Sequence, residues 1–162
     1  MLEATARGLD TCWVGGLFDA GAVARLVSLS EGERVFAVSP LGHARDGVTV
    51  KERVLLGTAR AKHRRSLDVI APGYEGWPSW ARRAVETARI APSATNRQPW
   101  RFSLGEDGLR VAFAGADTPR VSKRLDCGIA MLHAELGARA EGVAGRWVLD
   151  GGDTVARYEP AG

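Results

Sequence analysis

Cysteine is scarce in this sequence, and what there is does not pair. Its two cysteines, Cys12 and Cys127, lie far apart and match no metal-ligand spacing, which excludes a disulfide framework and a thiolate metal site as organising features. In an intracellular setting both read as reduced thiols. Histidine is almost as sparse: His43, His63 and His133 are scattered, with no pair at ligand spacing beside a carboxylate, so a metal site has no support. Long apolar runs are missing too. No stretch approaches the ~20 residues that span a bilayer. Residues 1–10 carry Glu3, Arg7 and Asp10 and contain no apolar core segment, which speaks against a signal peptide and leaves a cytoplasmic location as the expectation. There is no low-complexity run, and the 45% hydrophobic and 25% charged content is that of a folded chain. Its 162 residues suffice for one domain with a sizeable core, or for two small lobes sharing one.

What is present begins with basic charge. The formal net charge is +3 and the pI is near 9.2, but the excess is local, with Arg60, Lys62, Arg64 and Arg65 in one segment. A nucleic-acid surface needs an extended stripe, whereas a small phosphate-bearing ligand needs only such a cluster. The expected partner is therefore a small molecule, with neither nucleic acid nor membrane.

Along the chain, Leu2, Ala6 and Leu9 recur at helical spacing and Gly8 can end that helix. A Gly-rich loop follows. Asp19 can cap a helix through Leu29 with Val23, Leu26 and Val27 as its buried stripe. Residues 33–40 (ERVFAVSP) read as a buried strand. Residues 42–77 are polar and basic and read as a connector over the surface. Pro78 suits the first turn of a helix to about Ile90, and Pro92 stops it. Residues 100–104 and 109–113 read as a hairpin around GEDG. Residues 125–141 read as a helix with Ile129, Leu132 and Leu136 on one face, Ala130 and Ala138 allowing close packing, Asp126 in a capping position, and His133 packed or bonded locally. Residues 145–150 and 154–158 can pair through a GG turn. The predicted class is α+β: an antiparallel or mixed sheet flanked by helices.

Three segments carry chemistry. Residues 91–100, APSATNRQPW, place two prolines at the ends of a loop directly after a helix. Ser93, Thr95, Asn96 and Gln98 supply donors and acceptors, and Trp100 a flat apolar surface. That mix suits a planar heterocycle with polar edges. It also suits an Asx-type turn whose side chains satisfy their own backbone. In GLDTCWVGGLFD, residues 8–19, Gly15 and Gly16 offer backbone amides that a flat ligand can approach, or serve only a tight turn. In RAKHRRSLD, residues 60–68, the arginines can grip a phosphate or can form a solvated basic connector.

APSATNRQPW resembles the flavin-contacting signature APSxxNxQPW of the FMN-dependent nitroreductase family, and CWVGG resembles segments that line the flavin in fused two-lobe members. Asp10 stands where those members usually have glycine. The DCGIA run at residues 126–130 resembles the family's following helix, read as core and lobe contact. The resemblance spans residues 2–147. It implies a nitroreductase-like fold divided into the C-terminal part of a first lobe (1–60), a connector (61–76) and a second lobe (77–162). It also implies that an N-terminal part of the first lobe is missing, with its phosphate-binding R-x-S-x-R-like segment. It implies FMN held by Pro92, Ser93, Ala94, Asn96, Gln98 and Trp100, by Val14, Gly15 and Gly16, and by Arg64 or Arg65. Trp13 either flanks the flavin or belongs to the core. NAD(P)H would donate hydride and a nitro or quinone compound would accept electrons, with no catalytic side chain required. A flavin-binding protein without turnover, or a remnant that binds nothing, is the alternative, and a homodimer is expected as in ordinary family members.

Overall fold

A computed structural model describes residues 1–16, 18–45, 47, 63–118 and 121–161, and the chain divides into two units, Met1–Leu55 and Leu56–Gly162. In the first, helix α1 (Leu2–Ala6) ends where Gly8 takes φ +70°, a left-handed conformation that costs glycine little. Strands β1 (Asp10–Thr11) and β2 (Leu41–Gly42) pair antiparallel, and Val14 bridges to Val38. Asp19 caps helix α2 (Ala20–Ala24), its Oδ1 accepting from the Ala22 amide at 2.9 Å, as the residue type predicts.

That helix is shorter than the sequence predicts. It stops at Ala24, and the expected stripe does not form, because Leu26 is 83% exposed and Val27 is exposed as well. The expected strand over 33–40 reduces to the bridge at Val38, and the exposed Phe36 ring lies under the Arg34 guanidinium. One cause covers both corrections. No described residue of this unit is buried, so nothing holds extra turns or a longer strand that cannot support themselves.

The second unit holds the core. Helix α3 (Leu67–Ile70) and a 3-10 turn (Tyr74–Gly76) drive Ile70 and Ala71 to full burial, with Leu67, Tyr74 and Trp77 packed beside them. The expected surface connector is therefore corrected over residues 67–77, where Leu67, Ile70 and Ala71 sit at i, i+3, i+4. Arg60, Lys62 and the rest of 48–62 fall outside the described residues. Helix α4 (Ser79–Arg89) starts after Pro78 and buries Ala81, Ala84, Val85 and Ala88. Helix α5 (Lys123–Ala140) is capped by Ser122, whose Oγ accepts from the Arg124 amide at 3.1 Å. Asp126 is not the cap. The buried face of α5 is Cys127, Ala130, Ala134, Gly137 and Ala138, so Ala130 and Ala138 pack closely as expected, while Leu132 and Leu136 face outward. The helices approach so closely that a Cβ on Gly137 would lie 2.6 Å from the Arg83 carbonyl oxygen. Only small residues fit such a contact, and the leucines are turned away from it.

Strands β3 (Trp100–Gly105) and β4 (Gly108–Phe113) form the expected hairpin, with Trp100 opposite Phe113. Strands β5 (Gly145–Leu149) and β6 (Thr154–Pro160) complete an antiparallel sheet in the order β3–β4–β6–β5. Helix α5 packs on β3, β4 and β6, and α4 on α5. The class is α+β, as predicted. The helix capped by Asp19 and helix α5 lie in different units, and among the described residues each unit has its own sheet.

Candidate functional site

Chemistry in the second unit concentrates in the loop between α4 and β3. Ala91 is fully buried and Pro99 is buried, which pins both ends. Between them the chain turns through a 3-10 segment (Ala94–Asn96) and enters the left-handed region at Thr95 (φ 48°), Asn96 (φ 55°) and Gln98 (φ 45°). Non-glycine residues held there cost roughly 1–3 kcal/mol each, and such a cluster survives only where surrounding bonds over-determine it.

Those bonds are present. The Ser93 hydroxyl accepts from the Gln98 amide at 2.9 Å and closes the loop on itself. Gln98 is 3% exposed, and its side-chain oxygen accepts from the Arg65 amide at 2.9 Å. Its Nε2 lies within hydrogen-bond distance of the His63 carbonyl (3.0 Å) and the Asn96 side-chain oxygen (3.0 Å). Asn96 donates to the His63 carbonyl at 2.7 Å and accepts from Arg64 Nη1 at 2.6 Å. The two amides thus clamp the His63–Arg65 backbone. In this arrangement the polar residues read as facing a ligand hold another stretch of chain, which is the local-satisfaction alternative extended across 33 positions of sequence. Trp100 is fully buried, and its Nε1 has no partner among the described residues.

Arginines crowd the same place. The Arg65 guanidinium approaches the Arg97 carbonyl at 3.4 Å, and Arg89 Nε donates to the Arg65 carbonyl at 2.7 Å. Arg101 Nη1 donates to the Trp100 carbonyl at 2.6 Å. Burial first, and then the charge of Arg65, hold the Arg101 guanidinium below its ordinary pKa. Only Arg97 has a carboxylate: its Nε meets Asp126 Oδ2 at 2.5 Å. Among the described residues Arg64, Arg65, Arg89 and Arg101 form no ion pair. Arg64 and Arg65 are brought together with Asn96 and Gln98.

A model of the "Putative TM nitroreductase" family matches residues 1–138. The chain belongs to this nitroreductase family. A crystal structure described as a putative nitroreductase from Thermotoga maritima matches at a TM-score of 0.63 and 26% identity, over 96% of this chain and 58% of that one. The chain therefore spans little more than half the length of that relative, and the shared fold is that of a nitroreductase. Comparison with curated proteins returns no match.

In the first unit of this nitroreductase-family chain, Trp13 is 48% exposed, so it is no core residue of its unit. Val14 is committed through its N–H and C=O to Val38, at 2.9 and 3.0 Å. Gly15 and Gly16 make no backbone hydrogen bond among the described residues. An open groove of about 380 Å³ is lined by Asp10, Cys12, Pro40, Leu41 and His43 among others. Asp10 accepts from the Ala44 amide at 2.8 Å, so the residue standing in place of the usual glycine holds the segment that follows β2. Among the described residues no cluster of His, Cys, Asp or Glu could hold a metal, and no helix is long and apolar enough to cross a membrane. Sequence reasoning missed Arg97 and misread Asp126. Arg97 sits at a variable position of the motif, and its partner is 29 residues away, so nothing local marks the pair.

Proposed function

We propose that this chain is the flavin-binding part of an NAD(P)H-dependent oxidoreductase, with FMN as cofactor and nitro or quinone compounds as electron acceptors. One observation carries the reading: the APSATNRQPW loop, with Thr95, Asn96 and Gln98 in the left-handed region, lies beside the guanidiniums of Arg64, Arg65, Arg89 and Arg101, which have no carboxylate partner among the described residues. An anionic cofactor supplies the missing negative charge, and arginine forks match phosphate oxygens in pairs. The donor set fits FMN in kind: Arg64 and Arg65 for phosphate, with the exposed Thr95 and half-buried Ser93 on the loop beside them. FMN held there would supply the hydride-accepting and electron-passing chemistry, so the chain's own residues need only bind, orient and exclude water. In the first unit, Gly15 and Gly16, whose amides make no backbone hydrogen bond among the described residues, are the residues of the CWVGG segment that suit a flavin contact in kind.

The test is a titration of the purified chain with FMN, followed by flavin fluorescence and visible absorbance, then NAD(P)H-dependent reduction of a nitroaromatic. Micromolar binding with turnover supports the proposal; no binding in that range refutes it. A second reading, flavin binding without turnover, draws on the internal commitment of Asn96 and Gln98, whose amides already have partners. Stoichiometric FMN with no reductase activity would favour it.

A further inference from the structure

Asp126 is a carboxylate 2% exposed, set in the first turn of α5, away from solvent and outside the signature loop. Both of its oxygens reach back to that loop. Oδ1 accepts from the Ala94 amide at 3.0 Å, and Oδ2 accepts from Arg97 Nε at 2.5 Å. Arg97 in turn donates from Nη1 to the Thr118 hydroxyl at 2.9 Å and from Nη2 to the Val121 carbonyl at 2.7 Å. One guanidinium thus joins the loop, the segment after β4 and the helix. The two Asp126 contacts fall at Ala94 and Arg97, and Thr95 and Asn96, two of the three left-handed residues, lie between them. A buried carboxylate is costly unless paired and bonded, and here its bonds go to the piece of backbone least able to hold its own conformation.

We propose that Asp126 and Arg97 form a positioning latch: by gripping Ala94 and Arg97 they hold Thr95 and Asn96, between them, in the left-handed geometry that presents the loop to its ligand, without touching the ligand. The inference rests on the FMN reading for the identity of the ligand and on the hydrogen bonds alone for the latch. Apparent affinity scales with the fraction of molecules in the binding-competent state, so a latch variant whose loop is competent about one-tenth of the time shows about a tenfold higher Kd.

The experiment compares Asp126→Asn, Arg97→Gln and the double variant with the unmodified chain, and uses Gly137→Ala as a destabilised control. Asp126→Asn keeps an acceptor for Ala94 and loses the charge that pairs Arg97; Arg97→Gln alters a side chain still 20% exposed and remains available if the first variant does not fold. Amide hydrogen exchange over residues 93–98 is measured without FMN, and the FMN dissociation constant separately. The expected result is about tenfold faster exchange and about tenfold weaker FMN in each single variant, a double variant no worse than either, and neither change in Gly137→Ala beyond its global stability loss. Unchanged loop exchange in both single variants overturns the latch. Faster exchange with unchanged FMN affinity overturns its positioning role. Failure of the unmodified chain to bind FMN strikes the cofactor reading instead, and the exchange data then decide the latch alone.

Discussion

Replacing Gly137 by alanine sets two effects of known sign against each other. In the middle of α5, alanine is favoured over glycine by about 0.8–1.0 kcal/mol from backbone entropy and propensity. The new Cβ, however, would stand 2.0 Å from Thr87 Oγ1, 2.6 Å from the Arg83 carbonyl oxygen and 2.9 Å from the Ala84 Cα. The threonine hydroxyl can rotate, at the loss of its bonds to the Arg83 and Ala84 carbonyls. The other two atoms are backbone of α4, so relief requires the helices to separate, and inserting one methyl group into a tight contact costs about 1–3 kcal/mol. With two backbone clashes the upper half of that range applies, and the net loss is about 1–2 kcal/mol. For a domain near 100 residues, 1 kcal/mol corresponds to about 4–8 °C in Tm. Gly128 supplies the internal control: it lies on the same helix, is exposed, and a Cβ there meets nothing within 4 Å. Gly128→Ala should therefore raise Tm by a few degrees while Gly137→Ala lowers it. Thermal unfolding by circular dichroism reads both. Equal shifts of the same sign would refute the close helix contact.

Burial, aided by the Asp126 charge, pushes the Cys127 thiol up to about 12, whereas Cys12 is exposed. Native protein at pH 8 should react with a disulfide reagent at one thiol and release the second only on unfolding; prompt reaction of both contradicts the packing. Because the folded pKa of Cys127 lies above its unfolded value near 9, the stability it contributes is whole below that pH and lost as pH rises toward 12. Denaturant titrations of Cys127→Ala should lack that alkaline component. Burial holds the His133 pKa below 6.5, so its contribution is present above 6.5 and is lost as pH falls through the folded value. Replacing it with glutamine should flatten the acid limb of the stability curve, and an unchanged limb would count against its burial.

What could be read from the sequence was what neighbouring residues decide. Pro78, the GEDG turn and the GG turn each fix a boundary within a few residues, and α4, the β3–β4 hairpin and the β5–β6 hairpin lie where those signals put them. Burial was another matter. Leu132 and Leu136 share a helical face with Ile129, and hydrophobicity alone turns that face inward; the approach of α4 reserves the inside for Gly137 and the alanines. The same holds at the site. Asn96 and Gln98 stand out as polar residues in a loop between prolines, but nothing near them names the His63–Arg65 backbone as their partner. Asp126 looks like a cap because caps are local, yet it serves a loop 32 residues before it. A motif therefore marks where the chemistry is gathered, while the residues that hold it in shape are chosen by the fold. In this chain the two sets meet at Arg97, a position the signature leaves open, and with the Ala94 amide it ties the signature loop to Asp126 on the helix.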